Sequence, residues 1–317
     1  SLNMAGGTIT TGGNGSIGVY ASDLTSPIVN NTVFNMGSGT DTNNAYGFVF
    51  TGTIAPDFTN NAAAAMDSNS VFVYSKTGGL ITNNANITMN GSNNVAYYVE
   101  QAGTIVNNAQ IKGDTGVANI GIFGKGIYDS FGNLVSEGNI RNTADILLGD
   151  SNLIELTDQY GQKYKSGYSV GIYGEGSSVQ NDSSASVKVG KDGIGIYVKD
   201  AQSSSVNHGN IIGTGDNSIG IFADNTKIEN YGTIDMTGEN VIGIAVRNGA
   251  ELLNKGTIKV NGNNVYGIYM SGENTVVRNE GNIIISGTGL GIGYTPNINI
   301  NNIHDTTGTT TGSTSKY

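Results

Sequence analysis

The chain has no cysteine and no tryptophan, and only two histidines and three prolines among 317 residues. Without cysteine there are no disulfides and no thiol chemistry. His208 and His304 lie far apart, which leaves neither a zinc cluster nor a Ser-His-Asp arrangement to expect. Charged residues are 13 % of the chain, where a soluble domain carries about 25 %. The 15 basic residues are outnumbered by 25 acidic ones, for a net charge of −10, and no basic stripe marks a nucleic-acid binder. No apolar run approaches the roughly 18 residues of a membrane-spanning helix. No charged segment with an apolar stretch behind it opens the chain as a signal peptide. No cofactor, metal, nucleic acid or membrane insertion is expected of this segment.

What replaces charge is glycine, 49 residues of it, together with asparagine, serine and threonine. Such a composition can indicate disorder, but disordered chains lack regularly placed isoleucine and valine. Here those residues are periodic. Asn207, Asn230, Asn254 and Asn279 each open the same phrase, Asn-x-Gly-x-Ile, which closes on Gly220-Ile221, Gly243-Ile244, Gly267-Ile268 and Gly291-Ile292. The repeat is 23 to 25 residues, the signature of stacked coils that touch only their neighbours. Asn83, Asn107, Asn142 and Asn181 extend it backwards, and Asn30 with Phe34 is a looser copy. Residues 55–77 are the least regular unit.

Within one coil, Ile228, Ile234 and Met236 are spaced for one face of an extended chain, with Glu229 and Asp235 on the other; Ile242, Ile244 and Val246 alternate again after a Gly238-Glu239-Asn240 turn. Alternation over three to five residues, punctuated by Gly and Asn, means short strands. The expected fold is all-β: a right-handed parallel β-helix of about eleven coils, roughly 50 Å long at the ~4.8 Å strand spacing. It should span residues 1–296, with 297–317 a low-complexity tail or a coil cut short. The chain opens mid-pattern at Ser1 and reads as a fragment of something longer. The repeated Asn suits an amide ladder along the stack. Strict alternation after each inward Ile turns Gly and the next residue outward. That predicts a glycine groove beside an aromatic column of Tyr20, Phe123, Tyr173, Tyr197, Phe222 and Tyr269.

Two insertions interrupt the cadence. One adds Gly124 to Gly132, with Tyr128, Asp129 and Phe131. The other, Gly149 to Ser169, holds Glu155, Asp158, Tyr160, Lys163, Tyr164, Lys165 and Tyr168. Insertions in repeat proteins map to loops on one face, often the binding face. Tyrosine orders at low entropic cost and anchors adaptable surfaces. The candidate ligand-binding residues are therefore Tyr128, Asp129, Phe131, Tyr160, Lys163, Tyr164, Lys165 and Tyr168. Lys163 and Lys165 would serve as donors to sugar hydroxyls or to a partner's acids.

Other signals lead nowhere. Gly13-Asn14-Gly15-Ser16-Ile17-Gly18 fits the dinucleotide fingerprint, yet no helix follows. Gly12-Gly13-Asn14-Gly15-Ser16 lacks the acid of a calcium-binding nonapeptide. Parallel β-helices also serve polysaccharide lyases and hydrolases, and glycoside hydrolysis wants two carboxylates roughly 5–10 Å apart. Only Glu155 and Asp158 offer such a grouping, so no enzyme is expected.

Phrases such as Glu229-Asn230-Tyr231-Gly232-Thr233-Ile234 and Val265-Tyr266-Gly267-Ile268-Tyr269 resemble the passenger domains of type V autotransporter adhesins. The likeness is to the very large fusobacterial, RadD-like ones, and it covers residues 80–296 well and 1–80 loosely. The resemblance implies a rod on the bacterial cell surface, anchored in the outer membrane by a barrel absent from this chain. It implies attachment to a host-cell receptor, a host glycan or a partner bacterium. The rod is expected to be a monomer with the insertions as its contact surface. The rival readings are a spacer without a ligand site and, more remotely, a β-helical lyase or hydrolase.

Overall fold

The computed structural model describes residues 2–305 and 310–311, the last two by backbone only. It is a parallel β-helix with three short strands to a coil, such as Lys227–Asn230, Thr233–Thr237 and Ile242–Arg247. One column of strands forms a 12-stranded parallel sheet from Leu2–Met4 to Ile303–Asp305. The other two columns merge into one 21-stranded sheet, because Thr257–Ser271 and Asn282–Tyr294 run unbroken through a corner. Among the described residues the single helical element is a 3-10 turn, Ile300–Asn302. The stack has twelve turns where the repeat count gives eleven. The difference lies beyond residue 296: Ile303–Asp305 pairs with Val276–Asn279, and Thr310 and Thr311 pair with Ile283 and Ile284. Residues 306–309 and 312–317 of the expected tail lie outside the described residues.

The core is a set of columns that run the length of the rod. Ile87, Ile111, Ile146, Val187, Ile211, Ile234, Ile258 and Ile283 sit one above another, fully buried. Beside them the asparagines form a buried amide ladder from Asn30 to Asn279. Each Nδ2 donates to the Oδ1 one coil on, at 2.8 Å for Asn207 to Asn230 and 2.7 Å for Asn254 to Asn279. The irregular unit 55–77 joins it, with Asn60 receiving from Asn30 at 2.8 Å and donating to Asn83 at 3.0 Å. A second ladder of Asn31, Asn61, Asn84 and Asn108 follows outside in solvent.

The predicted glycine groove is not there, because the Gly-Ile glycines face inward. A Cβ on Gly121 would lie 2.8 Å from Ile146 Cγ2, and one on Gly195 would lie 2.6 Å from both Ile211 Cγ2 and the Gly220 carbonyl oxygen. Two consecutive residues, Gly121 and Ile122, thus face the core where alternation allows one, and the strand bends there. The residue before each glycine turns outward instead. Among the described residues this column is aliphatic or aromatic from coil to coil: Ile17, Tyr46, Val71, Val95, Ile120, Val170, Ile194, Ile219, Ile242, Tyr266 and Leu290. A strand apolar on both faces carries no pattern to say which side is in.

Candidate functional site

The outward face of this strand column has three parallel rows. The first is the aliphatic row just described. The second is aromatic: Tyr74 contacts Tyr98 edge-on at 5.4 Å, Tyr98 stacks on Phe123 at 4.4 Å, and Tyr173 stacks on Tyr197 at 4.6 Å with planes 8° apart. Phe123–Tyr173 and Tyr197–Phe222 meet edge to face, both at 4.9 Å. Tyr74 and Tyr98 escape a search for Gly-Ile-aromatic, since Phe72-Val73 and Ala96-Tyr97 precede them. Ala245 interrupts the row, and Arg247 covers Phe222 from that side, 4.7 Å above its ring. The third row alternates in sign coil by coil: Lys125, Glu175, Lys199, Asp224, Arg247. Opposite charges on neighbouring strands attract where identical ones would repel. Lys125 and Glu175 lie 3.8 Å apart, Arg247 and Asp224 2.7 Å.

Both insertions are antiparallel hairpins that leave this face at opposite ends of its strands. The first pairs Ile127–Tyr128 with Leu134–Ser136, after the strand Ile120–Lys125. The second pairs Ile154–Thr157 with Lys163–Ser166, before the strand Val170–Glu175. Their tips are built alike. Asp129 Oδ1 accepts from the Phe131 and Asn133 amides, both at 2.9 Å; Asp158 Oδ1 accepts from those of Tyr160 and Gln162, both at 2.8 Å. Gly132 and Gly161 follow at φ +83° and +80°, where a side chain would be strained. The residue just before each glycine is thereby held out in solvent, with Phe131 88 % and Tyr160 82 % exposed.

The first hairpin lies against the rod's corner. Tyr128 packs at Gly176, and burial, then the nearby Asp200 and Glu175 carboxylates, raise its phenol above the ordinary range. The Ser203 hydroxyl donates to Glu137 at 2.6 Å, and Gln202 Nε2 donates to the Leu134 carbonyl at 3.4 Å. The second hairpin leans over the outward face and walls one side of an open cleft of about 860 Å³. Val95, Ile120, Val170, Ile194 and Ile219 form one side of the floor, and Tyr173, Tyr197, Phe222 and Arg247 the other. The wall is Tyr164, Lys165, Ser166, Gly167 and Tyr168. The hairpin's base belongs to the coil itself: the Ser169 hydroxyl donates to the Asp150 carbonyl, and the Ser151 hydroxyl to that of Asp192.

Of the candidate residues, the structure therefore brings Tyr164, Lys165 and Tyr168 together with the aromatic row. Tyr160 and Phe131 stand at the tips, Asp129 closes a turn, Tyr128 packs at a corner, and Lys163 binds Glu155 across its own hairpin at 2.6 Å. Glu155 and Asp158 are thus both committed to the hairpin, and neither lines the cleft. Burial raises the phenols of Tyr168, Tyr173 and Tyr197, so they remain neutral donors at physiological pH. Burial, the largest single influence, opposes the charge on Arg247, but the hydrogen bonds and charge of Asp224 together with Tyr197 outweigh it and raise the guanidinium further. Lys165 and Arg247 are the charged members of the lining, which holds no carboxylate. A cleft of this size, mostly apolar with a few fixed polar groups, has the character of a binding site. No described helix is long and apolar enough to cross a membrane.

Residues 51–300 match the family model described as the BigA third pectate lyase-like domain. No curated protein and no solved structure matches the chain.

Proposed function

The chain belongs to the family of BigA third pectate lyase-like domains, and from that premise we propose that it is a binding segment of a bacterial cell-surface protein. On this reading the rod stands outside the cell as a monomer, held by an outer-membrane barrel elsewhere in the parent protein. It attaches the bacterium to a receptor or glycan of a host cell or of another bacterium. The observation that carries the reading is the wall that the hairpin adds to the cleft. The coils from Ser177 onward stack without an insertion, so the hairpin is not needed to complete the solenoid. Yet it leans over the apolar face and adds Tyr164, Lys165 and Tyr168 to Tyr173, Tyr197 and Phe222. A rod that only spaced its neighbours would have no use for such an arrangement.

Two features favour binding over the carbohydrate cleavage that the family's name brings to mind. Hydrolysis needs a pair of carboxylates facing the substrate, and the cleft lining has none. Proton abstraction needs a free base, while Arg247 is kept charged by Asp224 through Nε and Nη2, at 2.8 and 2.7 Å. The test is to replace residues 153–166 with a short Gly-Ser turn and measure attachment to cells and to a glycan array. Attachment should be lost while the melting temperature stays put, and persistent attachment would refute the reading. Polyuronides incubated with the intact chain should yield no unsaturated product, and its appearance would favour a lyase.

A further inference from the structure

We infer that the cleft receives an extended polypeptide segment carrying acidic residues, which pairs as an added strand with the free edge of Lys163–Ser166. This rests on the cleft being the contact surface proposed above, and it names the occupant.

The hairpin Ile154–Thr157 with Lys163–Ser166 is a sheet of two strands, with no third strand beside it among the described residues. Its orientation follows from the lining. The consecutive strand residues Tyr164, Lys165 and Ser166 border the cleft, and none of Ile154–Thr157 does. Side chains of successive strand residues point to opposite faces, so a run of neighbours lines a space only when the strand presents its edge to it. The register then says which backbone groups are on that edge. The ladder closes with the Asp158 amide donating to the Gln162 carbonyl at 2.9 Å. Antiparallel pairs alternate between bonded and non-bonded, so Leu156–Tyr164 and Ile154–Ser166 exchange hydrogen bonds. The N–H and C=O of Lys163 and Lys165 therefore point away from the partner strand. A strand edge with unpaired backbone groups is a template for another strand.

The floor and the charges select the kind of strand. Val95, Ile120, Val170, Ile194 and Ile219 offer carbon where a sugar would need partners for its hydroxyls, and burying a hydroxyl unpaired is costly. Alternate side chains of an added strand would meet this row as apolar residues. Arg247 is neutralised by Asp224, so Lys165 is the cation that the lining offers to a ligand, and it complements acidic residues. A lysine on an edge also guards against indiscriminate pairing, so Lys165 would admit acidic segments and discourage others.

The test is a display library of short random peptides selected on the intact chain and counter-selected on the chain lacking residues 153–166. The proposal expects hairpin-dependent peptides that alternate apolar and acidic residues. Methylating their alternate backbone amides should weaken binding about tenfold or more. Lys165→Pro removes an edge N–H that the hairpin itself does not use, and should weaken binding far more than Lys165→Ala. An unchanged melting temperature for both variants shows them folded. If selected peptides tolerate amide methylation, or Lys165→Pro binds like Lys165→Ala, the added-strand proposal falls. If the hairpin-dependent ligands are glycans and no peptide is selected, the attachment reading stands and the polypeptide proposal falls. If nothing bound depends on the hairpin, both fall.

Discussion

The buried and exposed asparagine ladders allow one interaction to be measured in two surroundings. Asn207 is fully buried; it accepts from Asn181 Nδ2 and donates to Asn230 Oδ1, both at 2.8 Å. Asn84 is exposed; it accepts from Asn108 Nδ2 and donates to Asn61 Oδ1, both at 3.0 Å. Asn207→Ala strands one amide donor and one acceptor in a dry interior, at about 1–3 kcal/mol for each buried group left unpaired. The total is about 2–6 kcal/mol. Asn84→Ala leaves its neighbours to water and should cost no more than about 0.5 kcal/mol. A coil contacts only its neighbours, so the loss should be local. Hydrogen exchange should show protection falling between Asn181 and Asn254 and holding near Asn60. Equal costs at the two positions, or full protection retained in Asn207→Ala, would mean that the buried ladder is not what ties the coils together.

Gly195→Ala should destabilise by about 1–3 kcal/mol or more, since its Cβ would lie 2.6 Å from the Gly220 carbonyl oxygen, and unchanged denaturation would return that glycine to the outer face. Glu175→Lys sets three lysines in succession with Lys125 and Lys199; a loss of about 0.2–1 kcal/mol that shrinks in high salt is expected, and salt-independent melting would refute it. The Tyr74 phenol is pushed up to about 12, by burial first and then by Glu100. The unfolded chain's tyrosine ionises near pH 10, so this contribution to stability is whole below pH 10 and fades as pH rises through 12. Ultraviolet titration that found every tyrosine ionising together near pH 10 would contradict this.

How far the residues foretold the molecule varied with how much pattern each feature carried. The Asn and Ile columns were legible because each repeats with the coil and each is polar or apolar against an opposite neighbour, as Ile234 is against Asp235. The glycine column was misread for a definite reason: Ile120, Gly121, Ile122 and Phe123 hold no polar residue, so nothing marks the bend that turns two in succession inward. The hairpins were legible as insertions, but not that the second walls a cleft. Lys163 and Lys165 look alike in sequence, but Lys165 lies nearer the hairpin's base beside the cleft, while Lys163 lies nearer the tip and pairs with Glu155. Arg247 went unnoticed because the groups that make it part of a site, Phe222 and Asp224, are 25 and 23 residues away in the chain and one coil away in space.

The most direct test of the central claim is to place a photo-crosslinking amino acid at one position at a time and irradiate the protein on cells to which it attaches. Positions 168 and 197 line the cleft, whereas position 20 occupies the same row near the other end of the rod. Adducts with a partner at 168 and 197 and none at 20 are expected. Adducts at 20 with none at the two cleft positions would contradict the account.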